Sequence, residues 1–192
     1  MSGPALSACA AELRRHDPDR FLTALFAPAE RRESLFALYA FNLEVARVRE
    51  AVTEPMLGRI RLQWWREAIE GIYAGEPRRH YVIDPLTEAV ARHRLSRALF
   101  DRLIDSRERD MESEPPADIA ELVGYAEGSS GSLVELAVEL LSDEPPAEQL
   151  RGTARRVGSA WALVGLLRAV PFHARAGRLY LPKDVSAAAG LR

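Results

Sequence analysis

Residues Leu35–Val48 read LFALYAFNLEVARV. Leu35, Phe36, Leu38, Tyr39, Phe41, Leu43, Val45 and Val48 fall on most sides of a helix at this spacing. Such a helix has no polar face to give to water, so it belongs in the middle of a bundle. The runs Leu133–Leu141 and Trp161–Val170 read the same way. Outward from these, the punctuation is proline between apolar helical runs. Asp17-Pro18 and Asp84-Pro85 read as an N-cap followed by proline at the first helical position. Asp118 with Glu121 is a capping-box-like start. The pattern predicts helices near 4–15, 18–26, 29–52, 55–75, 85–94, 97–112, 119–141 and 146–170. Only Tyr81-Val82-Ile83 and Leu179-Tyr180-Leu181 look extended. The expected fold is all-α: one domain over residues 1–192, a large orthogonal bundle with room for a cavity.

Composition bounds the function. The chain has 192 residues, 47% of them hydrophobic, which suffices for one sizeable core. Net charge is −2, from 26 Lys+Arg against 28 Asp+Glu, so a strongly basic nucleic-acid binder is excluded. A lone cysteine, Cys9, permits neither an internal disulfide nor a cysteine zinc site. It reads as a small apolar residue on the first helix. No run approaches ~18 uncharged apolar residues. The N-terminus lacks the pattern of a signal peptide. The expectation is a cytoplasmic-type protein with no transmembrane helix.

Some residues invite a chemical reading. Asp101 and Asp105 form a DxxxD on a helix, but Arg102, Arg107 and Arg109 lie beside them, and a salt-bridged outer face is the better reading. Trp64-Trp65-Arg66 resembles a site, yet core packing is favoured for tryptophan. His16, His80 and His93 are too scattered for a metal cluster. Pro171 should break its helix near Val170, which leaves His173 as a polar residue at a helix end. Ser129, Ser130 and Ser132 around Gly131 read as a local kink rather than a nucleophile.

Four local patterns together resemble the squalene/phytoene synthase family. They are Pro28–Arg32 leading into LFALYAF, RLQWWREAIEGIYAG (Arg61–Gly75), FDRLIDSRERDM (Phe100–Met111) followed by Tyr125 and Gly131, and LLRAVPFHARAGRLYLP (Leu166–Pro182). The resemblance spans roughly residues 17–185 and implies an isoprenoid-synthase fold. It also implies condensation of prenyl diphosphates, with Mg²⁺ held by two aspartate-rich motifs on facing helices. A leaving diphosphate must be neutralised, and Mg²⁺ takes hard oxygen ligands.

This chain departs from that pattern at the motifs. The first aligns with Ala46, Arg47 and Glu50, where only Glu50 keeps a carboxylate; the second aligns with Ala169 and His173. Gly165 replaces an asparagine, and Pro18 and Arg20 replace phosphate-contacting serines. Arg168 and Tyr180 remain family-like. A cation ~6 Å from Mg²⁺ costs on the order of 5 kcal/mol at an effective dielectric near 20. Gly165 and Ala169, one turn apart, permit either closer helix packing or an apolar pocket.

A family scaffold without metal motifs resembles the branch that contains the mitochondrial respiratory complex I assembly factor and its bacterial relatives. That implies a non-catalytic role beside a membrane subunit of complex I, peripheral to the inner membrane, with no metal or cofactor. Two alternatives stand beside it. One is a prenyltransferase with an atypical Mg²⁺ site, for which Glu50, Glu67, Asp101 and Asp105 are the available acids. The other is a metal-independent isoprenoid or lipid carrier, with Arg47, Arg168 and Tyr180 at an anionic headgroup. Family members continue for several helices after the YLP element, so the resemblance also implies that C-terminal helices are missing here.

Overall fold

The computed structural model describes residues 6–175 and 177–190. Its elements are α1 (Ala8–His16), α2 (Pro18–Ala24), α3 (Ala29–Ala46), α4 (Pro55–Ala74), α5 (Ile83–His93), α6 (Arg97–Ser106), α7 (Ile119–Ala126), α8 (Ser132–Leu141), α9 (Glu148–Arg175) and α10 (Lys183–Ala188). A 3₁₀ turn, Arg107–Met111, follows α6, and a π turn, Glu127–Gly131, joins α7 to α8. No strand occurs among the described residues; Tyr81 and Val82 form a turn and Ile83 opens α5. Residues 4 and 5 of the expected first helix lie outside the described residues.

The central helix is α3. Leu35, Phe36, Leu38, Phe41 and Val45 are all buried, packed among α1, α5 and α8. Phe41 sets its ring edge-on to Trp65 of α4 at 5.5 Å and to Phe100 of α6 at 5.2 Å, which fixes the register of three helices at one point. The caps follow the local chemistry. Asp17 accepts from the Arg20 N–H with Pro18 at the first position of α2. Asp118 accepts from the Glu121 N–H, and the Glu121 carboxylate reaches back to the Ala117 N–H. Helix α5 starts two residues before Pro85, which still sits in the first turn, where its missing N–H is not needed.

Helix α9 differs from expectation twice. Pro171 lies inside it rather than at its end. Pro171 has no N–H to give the Leu167 carbonyl one turn back, and Leu167 lies on the exposed side of the helix, 62% exposed. The helix runs on to Arg175, and the chain reverses at Gly177, whose φ of +67° suits glycine. There Arg178 N–H bonds the His173 carbonyl and Gly177 N–H bonds that of Ala174, the two bonds of a Schellman stop. Trp161–Val170 is also not central: Trp161, Val164 and Leu167 are 55%, 55% and 62% exposed. The first half of α9 is the packed half. Arg155 grips buried Glu135 of α8 through two bonds, at 2.7 and 3.1 Å, and Arg151 holds Glu139 at 2.6 Å. One uncharged run is not what makes α9 apolar, since Arg168 interrupts it. Yet an 18-residue window averages a hydropathy of 1.2, enough by length and composition alone to cross a membrane. Only 11% of that window is buried.

Candidate functional site

Four elements converge on a pocket of about 210 Å³: the end of α3, the 3₁₀ turn, α7 and the end of α9 with the segment after it. Its polar centre is Asp110, only 5% exposed. Asp110 Oδ1 accepts from the Tyr125 and Tyr180 hydroxyls, each at 2.8 Å. Arg107 donates to the Tyr125 hydroxyl at 2.6 Å and lies 3.4 Å from the other Asp110 oxygen. His173 packs its ring 4.7 Å from that of Tyr180, and Glu50, Arg49 and Arg178 complete the rim.

Each of these side chains arrives for a local reason. Asp110 turns inward because α6 tightens to 3₁₀ after Ser106, rotating the following residues away from the α-helical register. The outer side of that turn is pinned by Arg66, which binds Asp105 at 2.8 Å and Glu108 at 2.7 Å. Tyr125 closes α7 just before the π turn, and its carbonyl accepts the Ser129 hydroxyl. Tyr180 is brought back by the Gly177 reversal and held by the Lys183 N–H bond to the Pro116 carbonyl at 2.9 Å. The expected kink around Gly131 is thus a π turn, a common feature of functional sites.

The electrostatics follow from burial. The Tyr125 and Tyr180 phenols are pushed up by burial and by the Asp110 charge, so both remain donors. Burial holds the His173 imidazole below its ordinary value, Arg178 adds to this, and Asp110 and Glu50 oppose it. Two buried atoms, Arg107 Nε and His173 Nδ1, have no partner among the described residues.

Of the residues singled out in the sequence, Ala46, Glu50, His173 and Tyr180 meet here. Arg47 faces a different cleft, Arg168 is exposed on α9, and Ala169 is half-buried one turn before His173. Asp101 pairs with Arg97, Asp105 with Arg66 and Glu67 with Arg78; the face is salt-bridged, but Arg102, Arg107 and Arg109 pair elsewhere, with Glu135, Asp110 and Glu112. Trp65 is core, whereas Trp64 is half-buried at a cleft wall. Cys9 is buried on α1, its thiol raised to about 11 by burial. Asp110, Arg49 and Arg178 were not marked in the sequence, and Arg107, expected on a salt-bridged outer face, is instead turned inward onto Asp110. The signal was Asp110 within an arginine-rich stretch, indistinguishable by pattern from the surface acids around it.

The donors do not make a magnesium site. Ala46 and Ala169 offer no ligand, Asp110 is already taken by two phenols and a guanidinium, and Glu50 stands alone beside Arg49 and Arg178. Among the described residues no three acids, histidines or cysteines come together as a metal-binding group.

A sequence profile of the squalene/phytoene synthase family matches residues 13–192. The chain belongs to the squalene/phytoene synthase family. It is 36% identical over 178 residues to human NADH dehydrogenase (ubiquinone) complex I, assembly factor 6, covering 92% of this chain and 53% of that protein. To chloroplastic phytoene synthase 1 of Arabidopsis thaliana it is 27% identical over 196 residues, covering all of this chain and 46% of the synthase. The chain thus spans about half the length of these relatives. Among solved structures, a dehydrosqualene synthase with bound ligand superposes with a TM-score of 0.84 at 20% identity, over 96% of this chain and 63% of that one. A squalene synthase from Alicyclobacillus acidocaldarius gives 0.83 at 19%, over 95% and 68%. The isoprenoid-synthase fold expected from the motifs is therefore the fold observed, over roughly two thirds of the synthase chains.

Proposed function

We propose that this family member works by binding rather than by prenyl transfer, and that its role is in the assembly of respiratory complex I. The observation that carries the first half is the wiring of Asp110. The buried acid of the pocket is bound by Tyr125, Tyr180 and Arg107, while alanine and histidine stand at the positions that the family resemblance aligns with the metal motifs. A diphosphate clamp needs carboxylates free to bind Mg²⁺. The second half is supported by the greater identity to assembly factor 6, 36%, than to phytoene synthase, 27%. The partner in this reading is a subunit of complex I, and the location is the surface of the membrane that holds it. The exposed apolar face of α9 suits that location.

Two measurements test the proposal. Calorimetry with Mg²⁺ and a non-hydrolysable farnesyl diphosphate analogue should show no metal-dependent binding. Deleting the gene should lower NADH:quinone oxidoreductase activity and leave isoprenoid products unchanged. Tight metal-dependent binding, or loss of a carotenoid or hopanoid with normal oxidoreductase activity, would return the protein to the prenyltransferases.

A further inference from the structure

The last turn of α3 and the middle of α4 border a second cleft, of about 450 Å³, apart from the Asp110 pocket. Its wall is aromatic. The rings of Trp64, Trp65 and His80 meet edge to face, with centroids 4.9, 5.4 and 5.5 Å apart. Val48 extends this apolar wall. Trp64 is held from outside by the Arg78 guanidinium, 5.6 Å from its ring centroid and itself paired with Glu67 at 2.6 Å.

The polar groups facing the cleft are unequally committed. Glu44 accepts the Tyr81 hydroxyl. Glu50 also borders the Asp110 pocket, where its charge acts on His173. Arg47 and Arg61 form no ion pair and no side-chain hydrogen bond among the described residues. His80 Nδ1 accepts from the Val82 N–H at 3.2 Å, so the proton of the neutral ring is on Nε2 and that atom is a donor. The Trp64 indole N–H is a donor as well. The uncommitted groups are therefore two guanidiniums, two ring N–H donors and the single carboxylate of Glu50, which has no ion pair or side-chain hydrogen bond among the described residues; the two cations outnumber it beside a flat apolar wall.

That combination selects acceptor-rich anions on a flat apolar body. Guanidinium recognises carboxylate and phosphate through paired charge-assisted bonds, and an indole face takes an aromatic ring. The volume lies within the roughly 300–1,000 Å³ of small-molecule sites. We infer that the cleft is a binding site for a small aromatic acid, with Arg47 and Arg61 on its anionic oxygens and Trp64 against its ring. The site needs no Mg²⁺ and adjoins the Asp110 pocket only through Glu50, and it goes beyond the assembly role: its success or failure leaves that reading untouched.

The test is calorimetric titration of the 192-residue chain, in buffer containing a metal chelator, with naphthoate, naphthyl phosphate and the neutral naphthamide. The two acids separate carboxylate from phosphate as the preferred anion. At least one should bind saturably with a Kd below about 1 mM. The amide should bind about ten-fold more weakly or worse, because a hydrogen bond to a charged group is worth one to two decades. Arg47→Ala and Arg61→Ala should each cost about ten-fold or more in acid affinity. Both residues are exposed, so these variants keep the fold even if Trp64→Ala does not. Trp161→Ala and Tyr180→Phe should bind as the parent does. The inference is overturned if neither acid saturates, if the amide binds equally well, or if the Trp161 or Tyr180 variant weakens binding while the two arginine variants do not.

Discussion

Asp110 and Arg107 show how much one buried charge depends on its partners. Asp110→Asn keeps the shape and the two phenols but leaves the nearly buried guanidinium without its counter-charge. Breaking such a pair is expected to cost about 3 kcal/mol, read as a lower urea midpoint. Tyr180→Phe removes one donor to the carboxylate and should cost about 1.5 kcal/mol in the same assay. The histidines supply a pH dependence. Burial holds both His93 and His173 below the ordinary 6.5, Arg31 and Arg92 adding to the effect at His93 and Arg178 at His173. The unfolded chain therefore takes up protons first as pH falls. Stability should be unaffected by these groups above about pH 7.5 and should drop as pH passes down through 6.5 towards the lowered values. The acids Glu67 and Glu114, with values below the carboxylate norm, titrate beneath that window. His93→Gln should flatten the slope between about pH 7 and 5.5, and an unchanged slope would remove His93 as a contributor.

Among the elements, α9 crosses the π turn with backbone against backbone at Gly158. A Cβ built on Gly158 would lie 2.3 Å from the Ser130 carbonyl oxygen and 2.8 Å from the Gly131 Cα. Both are backbone atoms and cannot swing aside. Gly158→Ala should therefore destabilise by about 2–3 kcal/mol by urea denaturation, because the helices must separate. Gly165, two turns further along α9, meets nothing within 4 Å, and Gly165→Ala should be tolerated within about 0.5 kcal/mol or stabilise slightly. The contrast marks where α9 stops being an inner helix. On the packed side, Arg151 and Arg155 are one turn apart and meet Glu139 and Glu135, also one turn apart, on antiparallel α8. That pairing fixes the sliding register of α9, and with it the height at which His173 enters the pocket.

At the scale of the whole molecule, α9 leaves an apolar face in the open. Val157, Trp161 and Val164 share it by helical spacing, and all are more than half exposed. Each large apolar side chain left in water forgoes about 1.5–3 kcal/mol, and a contiguous row favours association. The 192-residue chain should scatter light as an oligomer, and Trp161→Glu with Val164→Gln should shift it towards monomer. A parent chain that is already monodisperse as a monomer would show that this face is stable in water. The same face accounts for a misreading from sequence. Trp161–Val170 and Leu35–Val48 have equal apolar content, yet only the second is enclosed, because enclosure depends on which helices surround it.

The sequence by itself determined most of the helices, the caps at Asp17 and Asp118, the central place of Leu35–Val48 and the family scaffold. These rest on interactions within a few residues or on an apolar period that any partner would have to bury. It also marked Ala46, Glu50, His173 and Tyr180, because motif positions are read one at a time. Only the tertiary structure decided that Asp110 belongs with them, that Arg47 does not, and that α9 runs through Pro171 to Arg175. An acid in an arginine-rich stretch pairs on the surface or in the interior according to one local tightening of the helix. A proline is tolerated on a turn of helix that the rest of the chain leaves exposed, as at Leu167. Both outcomes depend on which side of an element the rest of the chain covers, and nothing within a few residues of Asp110 or Pro171 encodes that.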